Sequence, residues 1–296
     1  MATILNQTIM KNITGNDVDE RYITHLNSYM GQYGINTNPR IQFFIAIACG
    51  ETGGFQHFRE RMSYSTTERL MTTFGNKFTN NEDVGSYVNS PARLANRVYG
   101  GINGNNQLPL DSTDEQCMNS DGYKYRGGGI FQLTFKSNYE EYAHGIGIGR
   151  ENVERLITEG DTFCVFESNG AVRSACHYVQ NRNNGIILTH ADTDTWGSFT
   201  AACRAVGICP DGNNYQKKHD YLARCRAYIG GNGIPEYNTD NGRSENTRLV
   251  YLTSTELNVF LEAKRKISRT GGVYPLIPNE PLPPITHEQF VNSFFS

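Results

Sequence analysis

Residues 39–51 read PRIQFFIAIACGE, an almost uninterrupted apolar segment that opens with Pro39 and is soon followed by Gly53 and Gly54. Proline is favoured in the first turn of a helix, and glycine readily adopts the left-handed conformation that ends one. A continuous apolar segment of this length, bounded in this way, indicates a helix that is buried rather than half exposed. The chain is therefore predicted to contain a buried helix over residues 39–51.

Two segments downstream carry similar start and stop signals. SYSTTERLMTTFG (63–75) predicts a second helix, with Ser65 and Glu68 as a capping box and Gly75 as its C-terminal stop. SPARLANRVYGG (90–101) predicts a third helix by the same logic. Further helices are predicted over 168–182, 197–207 and 214–230.

The region between the third and fourth predicted helices is different. Gly, Asn, Asp and Ser dominate residues 101–129, which predicts a long loop or a small hairpin. Residues 129–143 (GIFQLTFKSNYEEYA) begin with β-type alternation and turn helical near Ser137.

The character of the chain changes after Gly230, which predicts a domain over 1–230 and an accessory extension over 231–296. GNGIPEYNTDNGRSENT (231–247) is typical of a linker. TSTELNVFLEAKRKIS (253–268) predicts one amphipathic helix, and the proline-rich YPLIPNEPLPP (274–284) predicts an extended strap.

Composition narrows the classes of function. The 296 residues carry a formal net charge of −3, which argues against a nucleic-acid binder that works by phosphate neutralisation. No run approaches the roughly 18 apolar residues that a membrane span needs. The first twenty residues lack the basic and apolar regions of a signal peptide. We therefore expect synthesis in the cytoplasm.

The seven cysteines show no CxxC pair and no His/Cys spacing typical of zinc. The cluster of Cys176, Cys203, Cys209 and Cys225 could contain disulfides, but reduced or buried thiols are the expected state without a signal peptide. No metal or cofactor is expected.

Glu51 stands in the last turn of the first predicted helix, where cationic side chains are normally favoured. The helix dipole and apolar neighbours such as Ile47 and Phe55 favour its protonated form, which a general acid needs. Glu60 lies between Arg59 and Arg61, whose charges favour a carboxylate that can act as a base. Two carboxyls in opposed environments are the pattern of glycoside hydrolysis, although a pair of solvated surface charges is the more common explanation.

Residues 123–142 (YKYRGGGIFQLTFKSNYEEY) combine the groups that a carbohydrate site requires. Amides and a hydroxyl can bind sugar OH and N-acetyl groups, and tyrosines supply flat faces for sugar rings. The three consecutive glycines allow a close backbone approach. The members of this set are Gln132, Thr134, Asn138, Tyr123, Tyr125 and Tyr139. A strand with aromatic packing and a glycine-rich turn would explain the segment equally well.

Taken together, these segments resemble glycoside hydrolase family 19, a chitinase-like, lysozyme-like family that includes many bacteriophage endolysins. The matching segments are GETGGF, RERMSYS, ARLANRVYGG, YKYRGGGIFQLTFKSNY and, more weakly, GNNYQKKHDYLARCRAY, and they span roughly 40–230. The short interval between Glu51 and Glu60, and QLT in place of QLS, are closer to the endolysin branch. The resemblance implies a mainly α fold with a small β-hairpin and a central substrate groove.

The resemblance also implies an inverting mechanism in which the two carboxyls lie roughly 6.5–9.5 Å apart. Glu51 matches the general acid, Glu60 the base that activates water, and Thr134 the hydroxyl that positions that water. The groove residues that would bind N-acetylated sugars are Tyr64, Tyr125, Arg126, Gln132 and Asn138, to which we add Tyr139 for its flat face.

Three positions depart from the family pattern. Gly50 replaces the histidine that usually precedes the acid, and Gly128 replaces the arginine of a GRG turn. RAVGIC (204–209) stands where an Asn-Gly-Gly motif is usual, which affects one substrate contact.

The leading hypothesis is a peptidoglycan-cleaving muramidase that a holin, a virion or a secretion apparatus delivers to the bacterial wall. A secreted form would be an antibacterial effector with an immunity protein, and the extension is a candidate docking segment for such a partner. The alternatives are a chitinase, a Cys/His peptidase or amidase using Cys49 and His57, and a non-catalytic wall-binding or virion structural protein.

Overall fold

The structure is a computed structural model, and it describes residues 3–79, 83–207 and 213–236. Within these ranges the chain is mainly α-helical, as the sequence predicts. The α-helices are α1 (Gln7–Thr14), α2 (Glu20–Tyr29), α3 (Asn38–Thr52), α4 (Thr67–Phe74), α5 (Pro91–Tyr99), α6 (Asp114–Cys117), α7 (Asp121–Lys124), α8 (Lys136–Gly145), α9 (Arg155–Thr158), α10 (Gly160–Phe163), α11 (Ser168–Asn181), α12 (Ile186–Thr193), α13 (Trp196–Ala205) and α14 (Asn213–Tyr228). Short 3-10 helices cover Gly31–Tyr33, Gly75–Lys77, Val84–Tyr87 and Arg150–Asn152.

Helix α3 confirms the predicted buried helix. Every residue from 41 to 49 is buried. The side chain of Thr37 caps the helix by accepting a hydrogen bond from the backbone N–H of Arg40. Pro39 lies in the first turn, and Gly53 ends the helix with a φ of 63°, in the left-handed region that glycine tolerates best.

The largest hydrophobic core surrounds α3. Helices α12, α13 and α14 all contact it. Phe43 meets Phe199 of α13 edge to face at 5.1 Å, and Phe44 meets Phe131 at 5.7 Å. Because these contacts enclose the helix, its C-terminal turn has a fixed place in the fold.

Two smaller apolar clusters lie outside this core. One contains Tyr125, Tyr139, Tyr142, Ala143, Val153, Leu156 and Val165, and the other contains Met62, Leu70, Tyr87, Leu94, Ala95 and Val98. The segment between Tyr125 and Tyr139 also reaches the largest core, since Ile130 belongs to it and Phe131 packs against it.

The start of α4 corrects a sequence prediction. Thr66, not Ser65, is the N-cap, and its side chain accepts a hydrogen bond from the backbone N–H of Arg69. The capping box of Ser65 and Glu68 is therefore wrong, because the helix begins one residue later. Gly75 keeps a right-handed conformation and continues into a 3-10 turn.

Helix α5 begins and ends where the sequence predicts, but its N-terminus is capped from a distance. Ser90 makes no side-chain capping bond. The carboxylate of Asp114 instead accepts hydrogen bonds from the backbone N–H groups of Ala92 and Arg93, both at 2.9 Å. Asp114 thus ties the first turn of α6 to the first turn of α5.

The predicted hairpin is reduced to isolated contacts. Within the described residues, the β-type pairing consists of the single bridges Arg59–Gly128 and Gly128–Leu133. Residues 101–129 hold two one-turn helices, α6 and α7, besides loop. Helix α8 starts at Lys136, one residue before the predicted change near Ser137.

Helices α1, α2 and α12 were not predicted. The first two carry readable start signals, because Asn6 and Asp19 accept capping hydrogen bonds from Ile9 and Arg21. The three longer helices predicted near 168–182, 197–207 and 214–230 are confirmed as α11, α13 and α14.

The six cysteines of the described region are free and buried, which confirms the expected buried thiols. They are Cys49, Cys117, Cys164, Cys176, Cys203 and Cys225. Cys209, the predicted linker beyond Glu236, the amphipathic helix over 253–268 and the proline-rich strap lie outside the described residues. No described helix combines the length and apolarity needed to cross a membrane.

Helix α14 places a histidine in the core, which makes stability depend on pH. His219 stacks on Trp196 at 5.3 Å and meets Phe199 edge to face. Burial lowers the pKa of His219 from 6.5 to about 4. Between these pH values the unfolded chain binds a proton that the folded chain excludes, so stability is complete above pH 6.5 and falls as the pH drops.

We expect His219→Phe to flatten this pH dependence, since phenylalanine preserves the aromatic contacts and does not titrate. The wild type should lose up to about 3 kcal/mol of unfolding free energy between pH 6.5 and 4 through this group. Urea unfolding across that range measures the slope. His144→Phe, at an exposed position, is the control and should keep the wild-type slope; an unchanged slope in His219→Phe would contradict the assignment.

Candidate active site

Glu51 is the penultimate residue of α3 and its side chain is 26% exposed. Its Oε1 lies 2.8 Å from Nζ of Lys218, an α14 lysine whose side chain is 2% exposed. Ile47 and Phe55, the apolar neighbours expected for Glu51, are both buried, but the contact described for its carboxylate is with a cation. The sequence analysis missed Lys218, because a helix contact between residues so far apart leaves no local signal.

The carboxylate of Glu60 is held by two donors. The hydroxyl of Tyr99, at the end of α5, donates to Oε1 at 2.8 Å, and the backbone N–H of Gly127 donates to Oε2 at 3.2 Å. Burial, and next the charge of Glu60, raise the pKa of Tyr99, so that its hydroxyl remains a donor at neutral pH. Both interactions suit an ionised carboxylate.

The backbone of Glu60 is fixed as firmly as its side chain. Its N–H donates to the carbonyl of Gly127 at 2.9 Å, and its carbonyl accepts a hydrogen bond from Nε of Arg126 at 3.0 Å. Gly128 bridges both Arg59 and Leu133. Glu60 and the QLT segment therefore lie on neighbouring stretches of backbone.

The glycines at 127 and 128 are required by close packing within the protein. A Cβ at Gly127 would lie 2.6 Å from Oε1 of Gln132 and 3.2 Å from Oε2 of Glu60. A Cβ at Gly128 would lie 2.4 Å from the ring of Phe166. The missing side chains let the amide of Gln132 and the carboxylate of Glu60 converge at Gly127.

The arginines around Glu60 play different parts from those expected. Arg59 is exposed, with its guanidinium carbon 4.0 Å from the ring centroid of Phe166. Arg126 is 4% exposed and lies over the ring of Tyr123 at 3.8 Å. Burial, and then the charge of Arg59, lower the pKa of Arg126 to about 10. As placed, Arg126 supports the backbone of Glu60 from within the protein.

Two of the tyrosines assigned to sugar binding lie in the core. Tyr125 and Tyr139 are buried and meet at 5.2 Å in an edge-to-face contact. The hydroxyl of Tyr139 donates to the carbonyl of Arg126 at 3.1 Å. In this arrangement the two rings support the loop from beneath rather than present a face to solvent.

The other predicted residues lie nearer the surface. Tyr64 is half-buried and packs edge to face against Phe74. The Thr134 hydroxyl donates to the carbonyl of Gln132 at 2.8 Å, and Nδ2 of the exposed Asn138 donates to the carbonyl of Thr134 at 2.7 Å. The QLT segment and the first turn of α8 thus form one hydrogen-bonded unit.

The alternative with a cysteine nucleophile gains no support. Cys49 is fully buried, and burial raises the pKa of its thiol. A nucleophilic cysteine needs access and a readily formed thiolate. Cys49 has neither, whereas His57 is exposed.

Comparison with known proteins finds a relative that matches part of the chain. No protein-family profile matches the chain. The chain is 35% identical over 111 residues to a protein of Haemophilus influenzae (strain Rd) named "Glycosyl hydrolase family 19 domain-containing protein". The match covers 37% of this chain and 50% of the relative, so the chain spans about half the length of the curated relative it matches. This similarity supports a relationship to glycoside hydrolase family 19.

The hydrogen bond between Tyr99 and Glu60 can be tested without assuming any activity. We expect a double-mutant cycle of Tyr99→Phe and Glu60→Ala to give a coupling of about 1 kcal/mol or more in the free energy of unfolding, since the bond is partly buried and involves a charged acceptor. A cycle of Tyr228→Phe, on α14, with Glu60→Ala is the control and should be additive. Additivity in the Tyr99 cycle would mean that the bond does not form in solution.

Proposed function

We propose that this chain is a family 19 glycoside hydrolase that cleaves the β-1,4 bond between N-acetylated sugars of peptidoglycan, with inversion at the anomeric carbon. The name of the relative supports a glycoside hydrolase. The observation that carries the proposal is the contrast between two carboxyls. Glu51 emerges from a buried helix beside a buried cation, and Glu60 is fixed by two hydrogen-bond donors on a neighbouring loop.

In the proposed reaction Glu51 donates its proton to the glycosidic oxygen as the bond to the anomeric carbon breaks. A water molecule attacks that carbon from the opposite face, and Glu60 takes the proton that the water loses. Glu51 ends as a carboxylate and Glu60 as a carboxylic acid. Exchange of protons with solvent then restores both groups.

Thr134 is suited to positioning the attacking water. Its one hydroxyl proton is donated to the carbonyl of Gln132, which leaves the oxygen lone pairs as acceptors. A water that donates one hydrogen to Thr134 and the other to Glu60 would direct its own lone pair away from both. We assign Thr134 this role, and we assign sugar binding to the exposed Asn138 and the half-buried Gln132 and Tyr64.

We assign peptidoglycan rather than chitin as the substrate because QLT and the short interval between Glu51 and Glu60 follow the endolysin pattern. On this proposal the protein acts at the bacterial wall after release by a holin, a virion or a secretion apparatus. The chitin alternative uses the same chemistry, so the substrate test below includes both polymers.

We expect Glu51→Gln and Glu60→Gln each to lower the clearing of purified peptidoglycan by at least about 100-fold, because each removes a proton-transfer step. Turbidity measures the rate, and mass spectrometry of the products locates the cut. Glu68→Gln, at an exposed glutamate of α4, is the control and should retain wild-type activity.

The outcomes separate the competing functions. Cleavage between sugars supports the proposal, and reducing sugar released from chitin but not from peptidoglycan would replace the substrate with chitin. Cut peptides with intact glycan would overturn the glycosidase assignment. A wild type that binds the wall without clearing it would leave a non-catalytic binding protein.

A further inference from the structure

We propose that Lys218 is a positioning residue for the acid Glu51, and that Gly50 stands before Glu51 because the Lys218 side chain fills the space beside it. This inference rests on the proposed function and adds to it the group that controls the charge of the acid. The inference also gives a physical reason for glycine at position 50, where the family resemblance implies histidine.

The Lys218 side chain is held by packing as well as by charge. It is among the largest fully buried side chains of the protein, and α14, which carries it, packs along α3. Its stem lies against the backbone of α3 at Gly50. The ammonium reaches Oε1 of Glu51 at 2.8 Å, within the distance of a charge-assisted hydrogen bond.

Gly50 makes that packing possible. A Cβ at position 50 would lie 2.3 Å from Cγ, 2.7 Å from Cε and 3.0 Å from Cδ of Lys218. Real Cβ atoms do not approach other atoms so closely, so any side chain at 50 would displace the lysine stem. A glycine inside a helix costs about 1 kcal/mol relative to alanine, and here it creates the channel for the lysine.

Two titratable neighbours of the pair, Tyr178 and Cys203, are uncharged at neutral pH. Burial, and then Arg182 and Glu51, set the pKa of Tyr178 on α11, with a net rise. Burial raises the pKa of Cys203 on α13 to about 12, with smaller effects of Lys218 and Glu51. Lys218 on α14 is the cation that forms the described ion pair with Glu51.

This arrangement matters at the moment of proton donation. As Glu51 passes its proton to the glycosidic oxygen, a carboxylate forms beside the Lys218 ammonium, which stabilises the new negative charge. In general, a cation beside a carboxyl favours the ionised form over the protonated form. Lys218 should therefore accelerate donation by the protonated acid, and its removal should extend activity to higher pH.

We expect Lys218→Met to lower kcat/KM at least about 10-fold on the plateau below the alkaline limb, and to move that limb of the kcat/KM profile upward by about one pH unit or more. Methionine is close to lysine in length and carries no charge. Lys218→Arg should restore the position of the limb. Lys217→Met, at the exposed neighbouring lysine, is the matched control and should leave rate and profile unchanged.

The position of the alkaline limb of the kcat/KM profile separates a positioning role of Lys218 from a structural one. A folded Lys218→Met variant whose alkaline limb coincides with that of the wild type would overturn the proposal. Glu51→Gln separates a failure of the proposed function from a failure of the Lys218 proposal. An active Glu51→Gln variant would refute Glu51 as the acid, whatever Lys218 does.

Gly50→Ala tests whether the absence of a side chain at position 50 lets Lys218 reach Glu51. We expect it to lower the melting temperature and to shift the alkaline limb in the same direction as Lys218→Met, since the displaced ammonium leaves Glu51. Gly197→Ala, in α13, is the matched glycine, because a Cβ there has no neighbour closer than 3.9 Å. An unshifted limb in Gly50→Ala would contradict the coupling of the two positions.

A measurement of stability tests the pair even if the wild type cleaves no glycan. The loss of melting temperature caused by Lys218→Met should be smaller in the Glu51→Gln background than in the wild type, because the charge it compensates is already gone. Equal losses in both backgrounds would show that the two side chains do not interact in solution, and would overturn the inference.

Discussion

The burial of residues 41–49 of helix α3 is the constraint on which the other features depend. Each large apolar side chain that a helix buries fully contributes roughly 1.5–3 kcal/mol, and residues 41–49 are all buried. A helix enclosed on every side can neither rotate nor slide without opening the core. Its last turn is therefore delivered to one place and one orientation. Buried apolar residues of α3 therefore set the position of Glu51.

The two glutamates are supported by different kinds of structure. Glu51 sits at the end of a rigid helix and faces a single cation from a second helix. Glu60 lies in a loop, and its precision comes from hydrogen bonds to Tyr99, Gly127 and Arg126. Packing therefore fixes the position of Glu51, whereas hydrogen bonds fix the position of Glu60.

Much of the helical framework could be predicted from the sequence because its signals are local. Pro39 and Gly53 mark the two ends of α3 in the sequence itself, and apolar residues within continuous segments mark α11 and α14. Contacts between distant residues could not be predicted in this way. The cap of α5 by Asp114, the hydroxyl of Tyr99 on Glu60 and the ammonium of Lys218 on Glu51 all depend on how elements pack. Burial also separates the tyrosines, because sequence pattern alone does not distinguish a ring facing sugar from a ring facing the core, where Tyr125 and Tyr139 lie.

The contact between the backbone of Gly50 and the stem of Lys218 has a consequence for evolution. Neither position is free to change alone, because a side chain at 50 collides with the lysine, and loss of the lysine leaves a cavity beside a glycine. The two positions are therefore epistatic, and a lineage can exchange one solution for another only through paired substitutions or a weakened intermediate. The side chain that a substitution at Gly50 must accommodate therefore lies on a different helix.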